Sequence, residues 1–117
     1  MSNKAAQTIK KHGIDWEKVA LGIITDAGQA KSSAMEAIQA AKRGDFDTAK
    51  TKLDEAHQHS ADASKWHFDV IKAEANGEKL AYRVLFIHAE DQLLASQTVI
   101  LLVQEMVDLY RRLAPRK

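Results

Sequence analysis

Gly44-Asp45-Phe46 is the stretch on which the fold turns: a glycine that closes one helical pattern, an aspartate suited to cap the next, and an aromatic residue that opens a new apolar stripe. Upstream, Val19, Ile23, Ala27, Ala30, Ala34, Ile38 and Ala41 recur at helical spacing and predict an amphipathic helix over about 14–43. Downstream, Phe46, Ala49, Leu53, Ala56, Ser60, Ala63, His67 and Val70 predict a second helix over about 45–74. So tight a junction makes the two antiparallel neighbours. Asn76-Gly77 marks another turn, after which a third helix is expected over about 78–113. The fold class is therefore all-α, an up-down-up antiparallel three-helix bundle forming one domain over 1–117, with the N-terminus to about residue 13 frayed.

Composition agrees with this plan and removes several functions. A single proline, Pro115, leaves every predicted helix uninterrupted. The 117 residues are 45% hydrophobic and 28% charged, enough for one core and too few for two domains. Seventeen basic and sixteen acidic side chains are mixed along the chain and give a net charge of +1, which offers no electrostatic footprint for nucleic acid. With no cysteine there is no disulfide, thiolate metal site or thiol nucleophile, and the cytoplasm is the expected compartment. Met1 to Gly13 is polar and basic, and no run of 18 uninterrupted apolar residues occurs, so neither a signal peptide nor a membrane span is expected. The five glycines never gather into a phosphate-cradling loop, and His57 and His59 diverge by about 200° on a helix, which disfavours a metal site there.

The third helix is too apolar for a bundle of three. One stripe reads Leu85, His88, Gln92, Ala95, Val99, Leu102, Met106 and Leu109, and an adjacent one reads Val84, Ile87, Asp91, Leu94, Thr98 and Leu101. One stripe suffices to join a three-helix core, so the other predicts self-association. Within it, His88-Ala89-Glu90-Asp91-Gln92-Leu93 places a histidine and an acid three residues apart on neighbouring faces. Copies of Asp91 gathered at a symmetry axis would oppose one another's ionisation, a conflict resolved by a divalent cation such as Mg²⁺, by a shared proton or by ordered water. Neutral imidazole is a nucleophile near pH 7, so His88 is the candidate for a covalent phosphohistidine, while the alternative is a core histidine satisfied by a neighbouring acid. Gln92 shares its stripe and would orient the ring or hold a phosphoryl oxygen. Counting back from Gly77 puts His67 level with it, either to assist or to fill the core with one satisfied hydrogen bond; Gly22, in the same layer, would leave space. Glu90 is expected in solvent, and Trp16 and Trp66 are expected to pack.

These residues resemble the lactose/cellobiose class of enzyme IIA proteins of the bacterial sugar phosphotransferase system. The resemblance runs from about Val19 to Leu113 and is carried by Gly28-Gln29-Ala30-Lys31-Ser32, Ala34-Met35-Glu36-Ala37, Gly44-Asp45-Phe46, Gly77-Glu78-Lys79 and above all His88-Ala89-Glu90-Asp91-Gln92-Leu93. It implies a homotrimer, a nine-helix bundle. It implies that His88 takes a phosphoryl group from the histidine-containing phosphocarrier protein and passes it to a IIB component, which is linked to a membrane IIC component. It implies further that Asp91 of each subunit binds Mg²⁺ at the trimer centre, with no organic cofactor, and that the system takes up a β-linked disaccharide such as lactose, cellobiose or chitobiose.

The chain departs from the family pattern at two places. Where the family often reads His-Ala-Gln-Asp-His-Leu-Met, this chain has Glu90, Gln92 and Leu94; where Glu-Ala-His-x-x-Gln is frequent, it has Asp62-Ala63-Ser64-Lys65-Trp66-His67. Two other readings compete with the phosphocarrier. One is a helical oligomeric scaffold whose histidine and aspartate satisfy each other. The other is a metal-dependent hydrolase, which needs more inward carboxylates than the single one expected here.

Overall fold

The computed structural model describes residues 15–78 and 84–115. Three helices follow in order, α1 (Trp16–Lys42), α2 (Phe46–Ala75) and α3 (Val84–Leu113). Each start and stop has a local cause. Asp15 caps α1 by accepting from the Lys18 backbone N–H at 3.1 Å. Asp45 caps α2 by accepting from the Thr48 N–H at 3.1 Å and from its hydroxyl at 2.7 Å, and these bonds hold its carboxyl below the ordinary range. Both turns close in the same way. Gly44 (φ 80°) donates to Ala41 and Asp45 to Ala40, while Gly77 (φ 93°) donates to Glu74 and Glu78 to Ala73. These paired bonds place the glycine in the left-handed region, where any other L residue is strained.

The predicted α1 and α2 match to within a few residues at each end. Glu78 lies outside any helix and α3 is described from Val84; the expected start of the third helix near 78 and the segment to 13 expected to fray fall on residues 1–14 and 79–83, which lie outside the described residues.

The core has two parts, both organised around α1. Toward Gly77, Val19, Ala20, Ile23 and Ala27 pack with Ala63, Trp66, Val70, Ala73, Ala89 and Leu93. Toward Gly44, Ala30, Ala34, Ala37, Ala40 and Ala41 pack with Ala49, Ala56, Ile100, Val103 and Val107. Alanine at these positions lets the helices approach closely.

The face of α3 that joins this core is neither stripe singled out above. It is Ala89, Leu93, Ser96, Ile100, Val103 and Val107, and the Ser96 hydroxyl is satisfied by the Leu93 carbonyl at 2.7 Å. The reason is size: a bundle lined with alanine accepts the small and β-branched face of α3 and leaves the leucine-rich faces outside. Ile87 (46% exposed), Leu94 (63%) and Leu101 (63%) stand in solvent in the single chain, as do Leu85, Leu102, Met106 and Leu109. By length and composition α3 is apolar enough to cross a membrane, although it contains no run of 18 uninterrupted apolar residues. The surplus is one-sided, an exposed face opposite a buried one.

Candidate functional site

α3 turns its histidine and acid away from the bundle. Ala89 is fully buried among Val19, Ile23 and Trp66, and at about 100° per residue this fixes His88 on one flank of the helix and Asp91 near the middle of its outward face. At the start of α3 the Phe86 ring meets Trp16 edge-on, 5.1 Å between centroids, and ties the helix to α1 just before His88. His88 and Asp91 are exposed, Gln92 is half-buried, and among the described residues none of the three has a side-chain hydrogen-bond partner. The expected Gln92–His88 bond is therefore not formed in the single chain.

Two expectations are corrected here. Glu90 is not a solvated residue: it is half-buried and accepts a short hydrogen bond from His67 Nδ1, reaching across from α2. His67 accordingly makes the one satisfied hydrogen bond that was one of its two expected roles, at a position two residues beyond His88 and on the other flank of α3. Gly22 leaves no vacant space, because the Trp66 indole fills it; a Cβ on Gly22 would lie 2.6 Å from Trp66 Cε2.

The His67–Glu90 contact is one rung of a series. Gln97 donates to the Ser64 hydroxyl at 3.3 Å, Gln104 donates to His57 Nε2 at 2.8 Å, and the Arg111 guanidinium lies 5.3 Å from the Phe46 ring centroid. Glu90, Gln97, Gln104 and Arg111 recur every seven residues, so one polar stripe of α3 follows the groove against α2 from end to end. That heptad stripe was the sequence signal for Glu90 and His67, hidden by the stronger apolar pattern beside it. At its upper end Ser64, His67, Phe68, Glu90, Leu93, Leu94 and Gln97 line a pocket of about 170 Å³.

A second polar group lies on the opposite side of α2. Burial and the nearby Asp62 carboxylate raise the Asp26 carboxyl above its ordinary value. The Trp66 indole N–H opposes that rise without making a hydrogen bond of good geometry, and His59 opposes it through its charge. Among the described residues, no three histidine or acidic side chains gather within one subunit to hold a metal ion. Asp91 stands as a single carboxylate between exposed Ile87 and Leu94. Such a donor suits a cation only when further copies supply the remaining oxygens.

Residues 18–111 match the family model for the lactose/cellobiose-specific IIA subunit of the PTS, the phosphotransferase system. The lichenan-specific phosphotransferase enzyme IIA component of Bacillus subtilis is 36% identical over 103 residues, which are 88% of this chain and 94% of the relative. The crystal structure of a cellobiose-specific enzyme IIA from Bacillus anthracis superposes with a TM-score of 0.82 at 37% identity, covering 86% of this chain and 92% of that one. The IIA(chitobiose) in the solution structure of the IIA(chitobiose)–HPr complex of Escherichia coli superposes with a TM-score of 0.70 at 30% identity, covering 86% and 97%.

Proposed function

This chain belongs to the lactose/cellobiose-specific IIA subunit family of the phosphotransferase system, and from that premise we propose that it is a phosphocarrier whose His88 is phosphorylated. One observation carries the assignment to His88. Of the described histidines, His57 and His67 are engaged with Gln104 and Glu90, and His59 is half-buried near Asp26, whereas His88 is exposed and unpartnered within the stretch that matches the family model. An imidazole so placed is accessible to a partner's phosphohistidine without displacing any internal contact.

The donor is HPr, the histidine-containing phosphocarrier, by analogy with the relative bound to it. The unprotonated ring nitrogen of His88 attacks phosphorus and forms a new P–N bond. The old P–N bond breaks, and its electron pair returns to the donor imidazole. The second transfer repeats this step toward a IIB component that works with a membrane IIC component. The protein works in the cytoplasm, and the sugar is a β-linked saccharide of the kind named in its relatives, lichenan, cellobiose and chitobiose.

The exposed stripe of Ile87, Asp91, Leu94, Thr98 and Leu101 supports a homotrimer with α3 at the centre. Three Asp91 carboxylates would then hold Mg²⁺ or another divalent cation, which supplies the positive charge that lets them remain ionised together.

Incubation with phosphoenolpyruvate, enzyme I and HPr should add one phosphoryl mass, labile in acid and stable in base. His88→Ala should abolish that gain while leaving helicity and oligomeric state unchanged; full labelling of the variant would refute the assignment.

A further inference from the structure

The opening turns of α3 carry His88 and have one inward tie. Among Val84 to His88 only Phe86 is not exposed; Val84, Leu85, Ile87 and His88 stand in solvent in the single chain, and Ala89 is the first residue of the helix to be buried. Phe86 packs beside the core that holds Ala89, and its ring meets Trp16 with centroids 5.1 Å apart and planes inclined at 72°. Edge-on pairing has a preferred angle as well as a preferred distance, so it fixes how the turn is rotated in addition to covering it.

The other end of the tie is itself fixed. Trp16 is the first residue of α1, and Asp15 before it accepts from the Lys18 N–H at 3.1 Å. The cap keeps the first turn of α1 helical, so the indole starts from a set position rather than from a fraying end. A link therefore runs from the Asp15 cap through Trp16 to Phe86, and His88 follows two residues later. In the proposed trimer Ile87 would be held from the opposite side by its copies, which leaves Phe86 to set the height and rotation of this turn against α1.

Helix ends open at almost no cost in free energy, and a turn tied by one side chain is among the first to do so. Among the described residues the His88 side chain has no hydrogen-bond partner to orient its ring, so its direction is inherited from the backbone beneath it. Transfer between two histidines needs both nitrogens in line with phosphorus, and misplacement by about 1 Å costs on the order of a hundredfold in rate.

We propose that Trp16 and Phe86 are positioning residues for phosphoryl transfer: their edge-on contact holds the start of α3 at the height and rotation that aim the His88 ring at the donor phosphorus. Neither side chain makes or breaks a bond in the reaction. This inference rests on the phosphocarrier reading of His88.

Rapid-quench measurement of transfer from phosphorylated HPr separates aim from stability and from docking. Phe86→Leu and Trp16→Leu keep apolar bulk in the seat and remove the ring pair. Each should slow transfer at saturating HPr about tenfold and leave the half-saturating HPr concentration unchanged. The double variant should be no slower than either single one, because the two rings act as one unit. Phe86→Tyr keeps the ring and should stay within about twofold of wild type. Gly22→Ala, which strains the same half of the core at Trp66 and leaves this pair alone, should also stay within about twofold at a temperature where it is fully folded. Leucine variants at the wild-type rate would overturn the inference, as would losses that multiply in the double variant or a tenfold loss in Phe86→Tyr. A Gly22→Ala loss as large as theirs would make the effect one of general stability and would also sink it. A rise in half-saturating HPr with the saturated rate unchanged would assign the rings to docking instead of aim. Absence of label on wild type would overturn the phosphocarrier reading itself.

Discussion

Toward Gly77 the core closes around one large side chain, Trp66, seated against Gly22; toward Gly44 it closes around alanines packed on Ile100, Val103 and Val107. The difference extends to polar groups. Among the described residues, the buried side-chain atoms without a hydrogen bond are on Asp26, Trp66, Asp69 and Glu90, and all four residues lie in the Trp66 half. Such atoms cost stability, and native structures keep few of them. The alanine half carries none and acts as the frame. His88 emerges from the half that tolerates unsatisfied groups. Stability and function are thus divided along the bundle axis.

A pair of glycine substitutions should give the largest separation between the halves. Gly22→Ala places a methyl group 2.6 Å from Trp66 Cε2, and the indole, 4% exposed, has no free space to retreat into. Overpacking of this kind costs about 1–3 kcal/mol. Gly28 lies two turns along the same helix on its exposed face, with nothing within 4 Å of its Cβ position. Alanine there should stabilise by about 0.5–1 kcal/mol through backbone entropy alone. Thermal unfolding followed by circular dichroism should move in opposite directions for the two variants. A melting temperature for Gly22→Ala at or above wild type would show that the Trp66 seat is not tight.

How much of this was legible follows the same division. The turns at Gly44 and Gly77 were readable because glycine geometry and aspartate capping are local chemistry. The excess apolar surface of α3 was readable because periodicity counts faces. Which face turns inward was not: the decision lies in the volume left by the alanines of α1 and α2, and a stripe of Ala89, Ser96 and Val103 looks unremarkable beside one of leucines. Glu90 was misassigned for a related reason. Position relative to Asp91 predicts solvent, but the partner that takes Glu90 out of solvent is His67, on another helix. Trp66 was expected to pack, yet its seat on Gly22 depends on interhelical register that no single segment contains.

A smaller effect should come from Asp91→Leu, which touches the outward stripe rather than either core. It removes a lone carboxylate from between Ile87 and Leu94, so the proposed trimer should form without metal and melt somewhat higher. Chelation should lower the melting temperature of wild type only, because without the cation the gathered carboxylates repel one another. Scanning calorimetry with and without chelator measures both effects. Equal chelator responses in the two proteins would remove Asp91 from any cation site.

The smallest expected change is the pH dependence attached to Asp26, again in the Trp66 half. Burial and Asp62 raise its folded-state pKa, so the native chain holds that proton more tightly than the unfolded chain does. The stability linked to the protonated form is present in full below the unfolded pKa, about 3.9, and is lost as pH rises through the higher folded value. Above that value the native state carries a poorly solvated charge facing Asp62. Asp26→Asn removes the charge and keeps an oxygen near the Trp66 indole, so the variant should melt slightly higher than wild type at pH 7. That advantage should shrink as pH falls toward 3.5, where Asp26 itself becomes neutral. Because the carboxylate is only partly buried, the difference should be modest and should narrow in high salt, which screens Asp62. Matched melting curves at both pH values decide the point: an offset that stays constant between them would mean that the charge on Asp26 is not what the fold resists.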